Sequence, residues 1–410
     1  MGIKIEKTSL ETKTINTISV KQMISGILKH NIRQYTMVIA LLSIWILFTI
    51  LTKGTFITSR NLSNLFLQTV TIAILAVGMV LVMVAGHIDL SVGSVAGFLG
   101  AIAGFLQVKM NFGTIPAVLV TLAVGLIIGI WQGYWIAYRG VPAFIVTLAG
   151  MLVFKGGMIG VTQGAALGPM NDSFKAIGQG YLPRLLFKDA PFHDTSVVLA
   201  VIVIILFIVF DLKRRQSRIK YGFEVLPMNL QFLKMLTVSI AIGLVFSIMI
   251  TYMGVPYAIL LLMVLALLFS FITSKTTFGR HVYAIGGNKE AARLSGINIK
   301  QRTMTIFILM GVLSAIASIV FTGRLNSATP GAGNLFELDA IAASVIGGTS
   351  TMGGEGTVFG AIIGALVMAS VDNGMSLMNL DVTYQYVVKG LILLIAVWVD
   401  IATRKKGATT

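Results

Sequence analysis

The sequence predicts an all-α integral membrane protein with about twelve transmembrane helices and both termini in the cytoplasm. Composition is the first reason. Of the 410 residues, 56% are hydrophobic and 11% are charged, whereas a soluble domain carries about a quarter charged residues. Since each crossing of a bilayer needs about 20 apolar residues, a chain of this length has room for many crossings.

The apolar runs supply the second reason, because twelve of them are separated by polar segments. The run at 336–349 is short, so we expect a broken or re-entrant helix there. The twelve runs lie at about 35–52, 62–85, 88–107, 114–138, 142–162, 195–212, 236–252, 255–274, 304–322, 336–349, 356–372 and 384–400.

The basic residues supply the third reason, because they concentrate in four polar regions. These are the N-terminal tail 1–34, the stretch 213–220, the stretch 275–302 and the C-terminal tail 401–410. Between consecutive regions lie six, two and four apolar runs. Because each number is even, all four regions fit on the cytoplasmic side, as the positive-inside rule requires. The net charge of +16 therefore reflects topology, and we do not expect nucleic acid binding.

The same pattern gives the domain organisation. The tail 1–34 is too long and too polar for a signal peptide, and one transmembrane domain fills 35–400. Within it we expect a basic loop and hairpin at about 213–254 and a second cytoplasmic loop at 275–303.

Several kinds of chemistry are excluded by the residues that are absent. Cysteine does not occur, histidine occurs four times, and no H-E-x-x-H sequence is present, so we expect no metal site. No Gly-Lys pair occurs either, which rules out a P-loop for ATP. The chain is therefore predicted not to be an enzyme and to need no cofactor, and we expect it to form a path across the membrane.

Polar residues in or near the apolar runs are the candidates for that path. Each ionisable group in a span costs about 2.5–3.5 kcal/mol on insertion scales and so needs a reason. In Gly-His-Ile-Asp-Leu-Ser, Asp89 and Ser91 are suited to hydrogen-bond the hydroxyls of a substrate, although capping of the next helix is the favoured role for Asp89. Trp131 and Gln132 place an indole beside a neutral amide, but Trp131 also suits an interfacial aromatic belt. Asn373, near the end of a run, completes the path candidates.

Four other charged residues receive structural explanations from the sequence. Glu337 and Asp339 precede a helix and are expected to cap it. Lys155 is expected to extend from the end of a span towards water, and Lys389 lies about two turns into the last span.

The loop at 275–303 contains a short helix with a defined start and stop. Asn288 is suited to cap it and Gly296 to end it. A plain solvated connector does not need such limits, so docking to another protein is the favoured role. The residues assigned to this docking helix are Gly287, Asn288, Glu290, Ala291, Ala292, Arg293 and Gly296.

Four long motifs, in this order, resemble those of the permeases of bacterial ribose- and xylose-type ABC importers. They read GHIDLSVGSVAG at 86–97, PAFIVTLAGM at 142–151, GGNKEAARLSGI at 286–297 and RLNSATPGAGNLFELDAIAASVIGGTSTMGGEGTVFGAIIGA at 324–365. The resemblance covers about residues 35 to 400. It is strongest to the longer xylose-type and multiple-monosaccharide permeases, because the hairpin at 213–254 is missing from the ribose type.

The resemblance implies import of a monosaccharide, such as xylose or a related pentose or hexose, through a multi-pass protein of the bacterial inner membrane. It implies an ABC ATPase subunit on the cytoplasmic side, an extracytoplasmic sugar-binding protein and a homodimer of permeases. The docking helix would then be the coupling helix seated on the ATPase. The chain departs from the family pattern at Asp372 and Gln132, where the family often has Asn, and at Ala143, where it often has Pro.

A secondary transporter is the main alternative from the residues alone, because twelve spans with a central basic loop fit its two-halves plan. Proton or sodium coupling usually employs pairs of ionisable residues inside the spans. Such pairs are few in this sequence, and this disfavours the alternative.

Overall fold

A computed structural model describes residues 32–185, 192–223 and 225–407. Within these ranges the fold is helical and contains no β-sheet, since the two backbone bridges there stand alone. The α-helices in these ranges are α1 (Ile32–Leu51), α2 (Ser59–Val84), α3 (Val92–Gly104), α4 (Thr114–Ala137), α5 (Ala143–Thr162), α6 (Asp172–Gln179), α7 (Asp194–Lys220), α8 (Met228–Ile250), α9 (Tyr257–Lys275), α10 (Thr277–Gly287), α11 (Lys289–Leu294), α12 (Ile299–Leu325), α13 (Phe336–Ile346), α14 (Val358–Leu377) and α15 (Val382–Gly407).

Ten helices of the described part are long and apolar enough to cross a membrane. They correspond to ten of the twelve apolar runs, and they confirm the prediction of an all-α membrane protein. The other two runs are α1, which supplies the shorter apolar helix Met37–Leu51, and α13, which has 11 residues. The count of twelve crossings and the cytoplasmic position of both termini stay predictions.

Helix α2 forms the centre of the fold. It packs against α9, α12, α13 and α14, and nearly every residue from Leu62 to Val84 is buried. A helix that is apolar on all sides buries them all when protein surrounds it. Helix α2 is thus enclosed by protein on all sides.

Glycines allow α4 and α12 to approach closely. A Cβ on Gly311 would lie 2.2 Å from the carbonyl oxygen of Gly125, and one on Gly129 would lie 2.5 Å from that of Phe307. Small residues at such crossings let membrane helices gain van der Waals contact that larger side chains would prevent.

Helix α13 is the broken helix that the short run predicts. At about 1.5 Å per residue its 11 residues span about 16 Å, roughly half of a bilayer core. A non-helical segment, 326–335, leads into it from α12 and packs along α3, where the carbonyl oxygen of Ala332 faces Gly97. Such backbone is tolerated in a membrane protein when other helices enclose it.

Much of the region 213–254, predicted as a basic loop and hairpin, is helical. Residues 213–220 belong to α7, and α8 begins at Met228, eight residues before the predicted run. The helix continues past its apolar part because Lys and Arg are good helix formers and cations favour a helix C-terminus. The predicted tail 1–34 lies outside the described residues except for its last three, which begin α1. The domain limits stay a prediction.

Candidate functional site

Asp89, Ser91 and Gln132 form one buried hydrogen-bonded network. The Asp89 Oδ1 atom accepts bonds from the backbone N–H of Ser91 (2.8 Å) and from its hydroxyl (2.6 Å). The Ser91 Oγ atom accepts in turn from Nε2 of Gln132 at 2.6 Å. All three residues are at most 2% exposed. All three are among the five residues that the sequence suggested for the path, and the structure brings them together.

This network fixes the turn at which α3 begins. Asp89 bonds to Ser91, the residue before Val92, and not to an N–H inside the helix. It thus sets the turn as an Asx motif instead of capping the helix directly. Gly150 of α5 lies against the network, since a Cβ there would be 3.0 Å from Nε2 of Gln132.

Trp131 and Asn373 lie apart from that network. Trp131 is 39% exposed and meets Phe154 edge-on at 5.9 Å between ring centroids. Phe154 in turn lies 5.6 Å from Phe98, so α3, α4 and α5 share an aromatic strip. Asn373 of α14 exchanges two amide hydrogen bonds with Asn61 of α2, at 2.8 and 3.1 Å. The five path candidates therefore occupy three places, and their contact with a substrate stays a prediction.

The predicted docking helix is α11. The Asn288 Oδ1 atom accepts from the N–H of Ala291 at 3.0 Å, as expected for its cap, and Gly296 takes the positive φ of +80° that ends the turn. Glu290 and Arg293 form an exposed ion pair at 3.0 Å. Ala292 is buried, and the adjacent residues of α11 are exposed.

The loop that carries α11 is attached to the centre of the fold. Gly286 rests on the end of α2, where a Cβ would lie 1.6 Å from the carbonyl oxygen of Val84. The hydroxyl of Tyr283 donates to the carbonyl oxygen of Gly356 at 2.6 Å. The N–H of Gly354 donates to the carbonyl oxygen of Val84 at 2.9 Å. The segment that precedes α11 thus contacts both α2 and the turn that joins α13 to α14.

A cavity of about 340 Å³ lies beside α11. His87 and Lys289 line it, together with the turn 140–144 between α4 and α5. Burial, and then the positive charge of Lys289, lower the pKa of His87 to about 4. The imidazole is therefore neutral near pH 7, and Lys289 supplies the charge at this opening.

Sequence reasoning missed an ionic cluster that joins three helices. Lys389 of α15 lies 3.0 Å from Asp339 of α13 and 2.8 Å from Asp372 of α14. Asp339 therefore forms an ion pair and does not cap α13, where Leu335 occupies the cap position with φ at +63°. The sequence did show three charged residues within apolar runs, and such residues usually form ion pairs. It did not show which of them would contact one another.

Two further charged residues were explained wrongly from the sequence. Glu337 does not cap α13 by a bond to another residue's N–H. Its Oε2 atom has no hydrogen-bond partner among the described residues and lies against Gly93. Lys155 is not at the end of a span, because it lies twelve residues after the start of α5 and seven before its last residue.

Similarities to known proteins accord with this architecture. The family described as "Branched-chain amino acid transport system / permease component" matches residues 61–397. The chain is 46% identical to the xylose transport system permease protein XylH of Haemophilus influenzae over 376 residues, which cover 92% of this chain and 98% of that protein.

Two other relatives extend the comparison. The xylose transport system permease protein XylH of Escherichia coli K12 is 44% identical over 93% of this chain and 95% of its own length. The ribose import permease protein RbsC of the same organism is 33% identical over 84% of this chain and 87% of its own. No solved structure is significantly similar to the chain.

Proposed function

Because this chain belongs to the family of branched-chain amino acid transport system permease components, we propose that it conducts a monosaccharide inward across the bacterial inner membrane. Xylose or a related pentose or hexose is the proposed cargo. The chain is a multi-pass membrane subunit and not an enzyme, and ATP hydrolysis belongs to a separate subunit.

One observation carries the choice of cargo. The family takes its description from amino acid transport, yet the relatives that match nearly the full length are named for xylose at 44–46% identity. The relative named for ribose is 33% identical and covers less of the chain. The gradient of similarity favours xylose, and a branched-chain amino acid is the second candidate that the family description supports.

The proposed partners follow from membership of this permease family and from the relatives named for xylose transport. An ABC ATPase docks on the cytoplasmic side, a sugar-binding protein delivers the cargo outside, and a second copy of the chain completes the path. Helix α11 is the proposed coupling helix. In support, it is capped, exposed and attached through Gly286 and Tyr283 to two central elements.

The proposed mechanism is alternating access. Closure of the ATPase pair moves α11, and the movement passes to α2 and to the turn at 347–357 that ends the broken helix α13. Small changes at such an element shift a two-state equilibrium when each state is well packed. The path itself need not bind the sugar tightly, because the binding protein can set selectivity.

Uptake by the reconstituted complex tests the proposal. The full chain, its ATPase and its binding protein are placed in liposomes, and uptake of labelled xylose, ribose and leucine is measured with and without ATP. We expect ATP-dependent xylose uptake that persists after the proton and sodium gradients are collapsed. Uptake that needs an ion gradient but no ATP would indicate a secondary transporter, and ATP-dependent uptake of leucine alone would refute the sugar assignment.

The coupling role of α11 has its own test. Replacing Glu290 and Arg293 together by Ala removes the exposed ion pair, and we expect the ATPase to co-purify in clearly lower yield while membrane insertion is unchanged. The matched control is Asp172→Ala with Lys175→Ala, which removes an exposed pair of the same spacing from α6. If the α11 variant retains the ATPase as well as the control does, the assignment is wrong.

A further inference from the structure

We propose that the face of α5 that carries Lys155 is a water-lined wall of the sugar path. Lys155 donates hydrogen bonds to sugar hydroxyls there, and the enclosed carboxylate of Glu337 of α13 lies behind the face. The inference rests on the proposed function for the identity of the ligand. The location of the face in water depends only on the structure.

The first argument is the position of Lys155. At about 1.5 Å per residue it lies about 18 Å from the first residue of α5 and about 10 Å from the last. It is exposed, and in the described part of the chain it makes no hydrogen bond and no ion pair. An ammonium in mid-span that faced lipid would be strongly disfavoured, whereas one that faces a watery path is a common feature of transporters.

The second argument is the shape of the same face. Gly156 and Gly160 are exposed, and a Cβ at either would meet no atom within 4 Å. Gly157 is on the inner side of the helix, where a Cβ would lie 2.9 Å from the ring of Phe98. The helix therefore packs by one side on α3 and leaves open space beside Lys155.

The third argument is the carboxylate of Glu337. Its residue is 8% exposed, and Oε2 has no hydrogen-bond partner among the described residues. A Cβ on Gly93 would lie 2.2 Å from that oxygen, so it rests on the first turn of α3. Lys155 is near enough for its positive charge to act on this carboxylate, so an acidic group without a hydrogen-bond partner among the described residues lies behind the face.

The aromatic strip of α3, α4 and α5 lies one residue along α5 from Lys155, on a neighbouring side of that helix. Phe98, Phe154 and Trp131 contact one another in sequence at 5.6 and 5.9 Å between centroids, and Phe154 precedes Lys155 in the chain. A sugar offers hydroxyls at its edge and an apolar face, so it suits a charged donor together with an aromatic surface. The predicted path residue Trp131 belongs to this aromatic strip, whereas Asp89 and Gln132 are buried and do not reach its surface.

The absence of cysteine permits a direct test in the full complex. A single Lys155→Cys variant is treated with a charged methanethiosulfonate, which reacts with ionised thiols in water. Leu206→Cys is the matched control, since Leu206 is the exposed thirteenth residue of α7, as Lys155 is of α5. We expect modification of the Lys155→Cys thiol to be about tenfold faster or more, because a thiol in lipid stays protonated.

The ligand assignment is tested by uptake of xylose. Lys155→Met is expected to lower the initial rate about tenfold, the loss typical of one charged hydrogen bond, while Lys155→Arg keeps a larger fraction. We expect both variants to be obtained in the same yield as the unmodified chain and to co-purify with the same amount of ATPase. A loss of uptake then reflects a role in sugar binding and not a defect in folding or assembly.

The outcomes are distinct. If the Lys155→Cys thiol reacts no faster than the Leu206→Cys thiol, both without nucleotide and with ATP trapped, the α5 face lies in lipid and the inference is overturned. Unchanged uptake by Lys155→Met overturns the role in sugar binding. If the unmodified complex imports no sugar while the Lys155→Cys thiol reacts rapidly, the proposed function fails and the water-lined face stands.

Discussion

Two lysines within apolar helices, Lys389 and Lys155, have opposite surroundings. Lys389 lies between Asp339 and Asp372 at 3.0 and 2.8 Å, and its side chain is 18% exposed. Lys155 is exposed and forms no ion pair with any residue that the structure describes. The difference teaches that an apolar helix can hold a charge with a fixed partner or without one, and the proposed role of Lys155 in the sugar path accounts for the second case.

The cluster at Lys389 fastens the broken helix to its neighbours. Asp339 is the deeper carboxylate, with 5% of its side chain exposed, against 33% for Asp372. The second oxygen of each carboxylate has no hydrogen-bond partner in the described part of the protein. Both acidic groups therefore depend on the one ammonium for a counter-charge. The cluster adds an ionic link to the direct packing of α13 on α14, where a Cβ on Gly364 would lie 1.9 Å from the carbonyl oxygen of Ala343.

The largest expected effect is that of Lys389→Met. It leaves two enclosed carboxylates without a counter-charge, and breaking a buried ion pair in this way costs about 3–5 kcal/mol. We expect the purified variant to unfold at a much lower temperature than the unmodified chain. The measurement is the midpoint of thermal unfolding, followed by size-exclusion chromatography in detergent.

A neutral replacement of the whole cluster is the control. Lys389→Met combined with Asp339→Asn and Asp372→Asn removes all three charges, and buried ion pairs can be replaced in this way at little cost. We expect the triple variant to regain most of the lost stability. If it unfolds as early as the single variant, unpaired charge is not what destabilises Lys389→Met.

A smaller effect is expected at the contact between α3 and α13. Gly93→Ala would place a Cβ 2.2 Å from Oε2 of Glu337 and 2.3 Å from the carbonyl oxygen of Gly333. The backbone must shift, which typically costs about 1–3 kcal/mol. Gly243→Ala is the control, since a Cβ there would meet no atom within 4 Å. Equal thermal unfolding of the two variants would refute the tight contact.

The fold was predictable from the sequence to the extent that it depends on the bilayer. The apolar runs predicted about twelve crossings and a short helix at 336–349, and the described structure has ten helices long enough to span together with the short α13. Local hydrogen bonding predicted the cap at Asn288. Both are properties of consecutive residues. The extension of α7 to Lys220 was missed because its cue is helix propensity in water and not hydrophobicity.

The candidate site was less predictable because its contacts join distant segments. Asp89, Ser91 and Gln132 were selected as polar residues, but only the fold shows that they bond to one another and lie buried. Lys389 meets Asp339 across 50 residues of sequence. Adjacent residues also separate: Gln132 is 2% exposed and Trp131 is 39% exposed, since neighbours on a helix face different sides.

The smallest expected effect within the cluster is that of Asp372→Asn. Lys389 keeps its ion pair with the deeper Asp339, and Asp372 is one-third exposed, so solvent already weakens its contribution. We expect a change in unfolding free energy of at most about 1 kcal/mol, and a larger one for Asp339→Asn. The reverse order, measured by thermal unfolding, would show that Asp372 is the main partner of Lys389.

Thermal unfolding of Lys155→Met beside Lys389→Met tests the central comparison most directly. Both variants remove one ammonium from an apolar helix and leave a side chain of similar length. The account predicts that Lys155→Met changes the unfolding free energy by less than about 0.5 kcal/mol, as surface substitutions usually do, while Lys389→Met is strongly destabilised. Equal destabilisation of the two variants would contradict it, because Lys155 would then have a permanent partner.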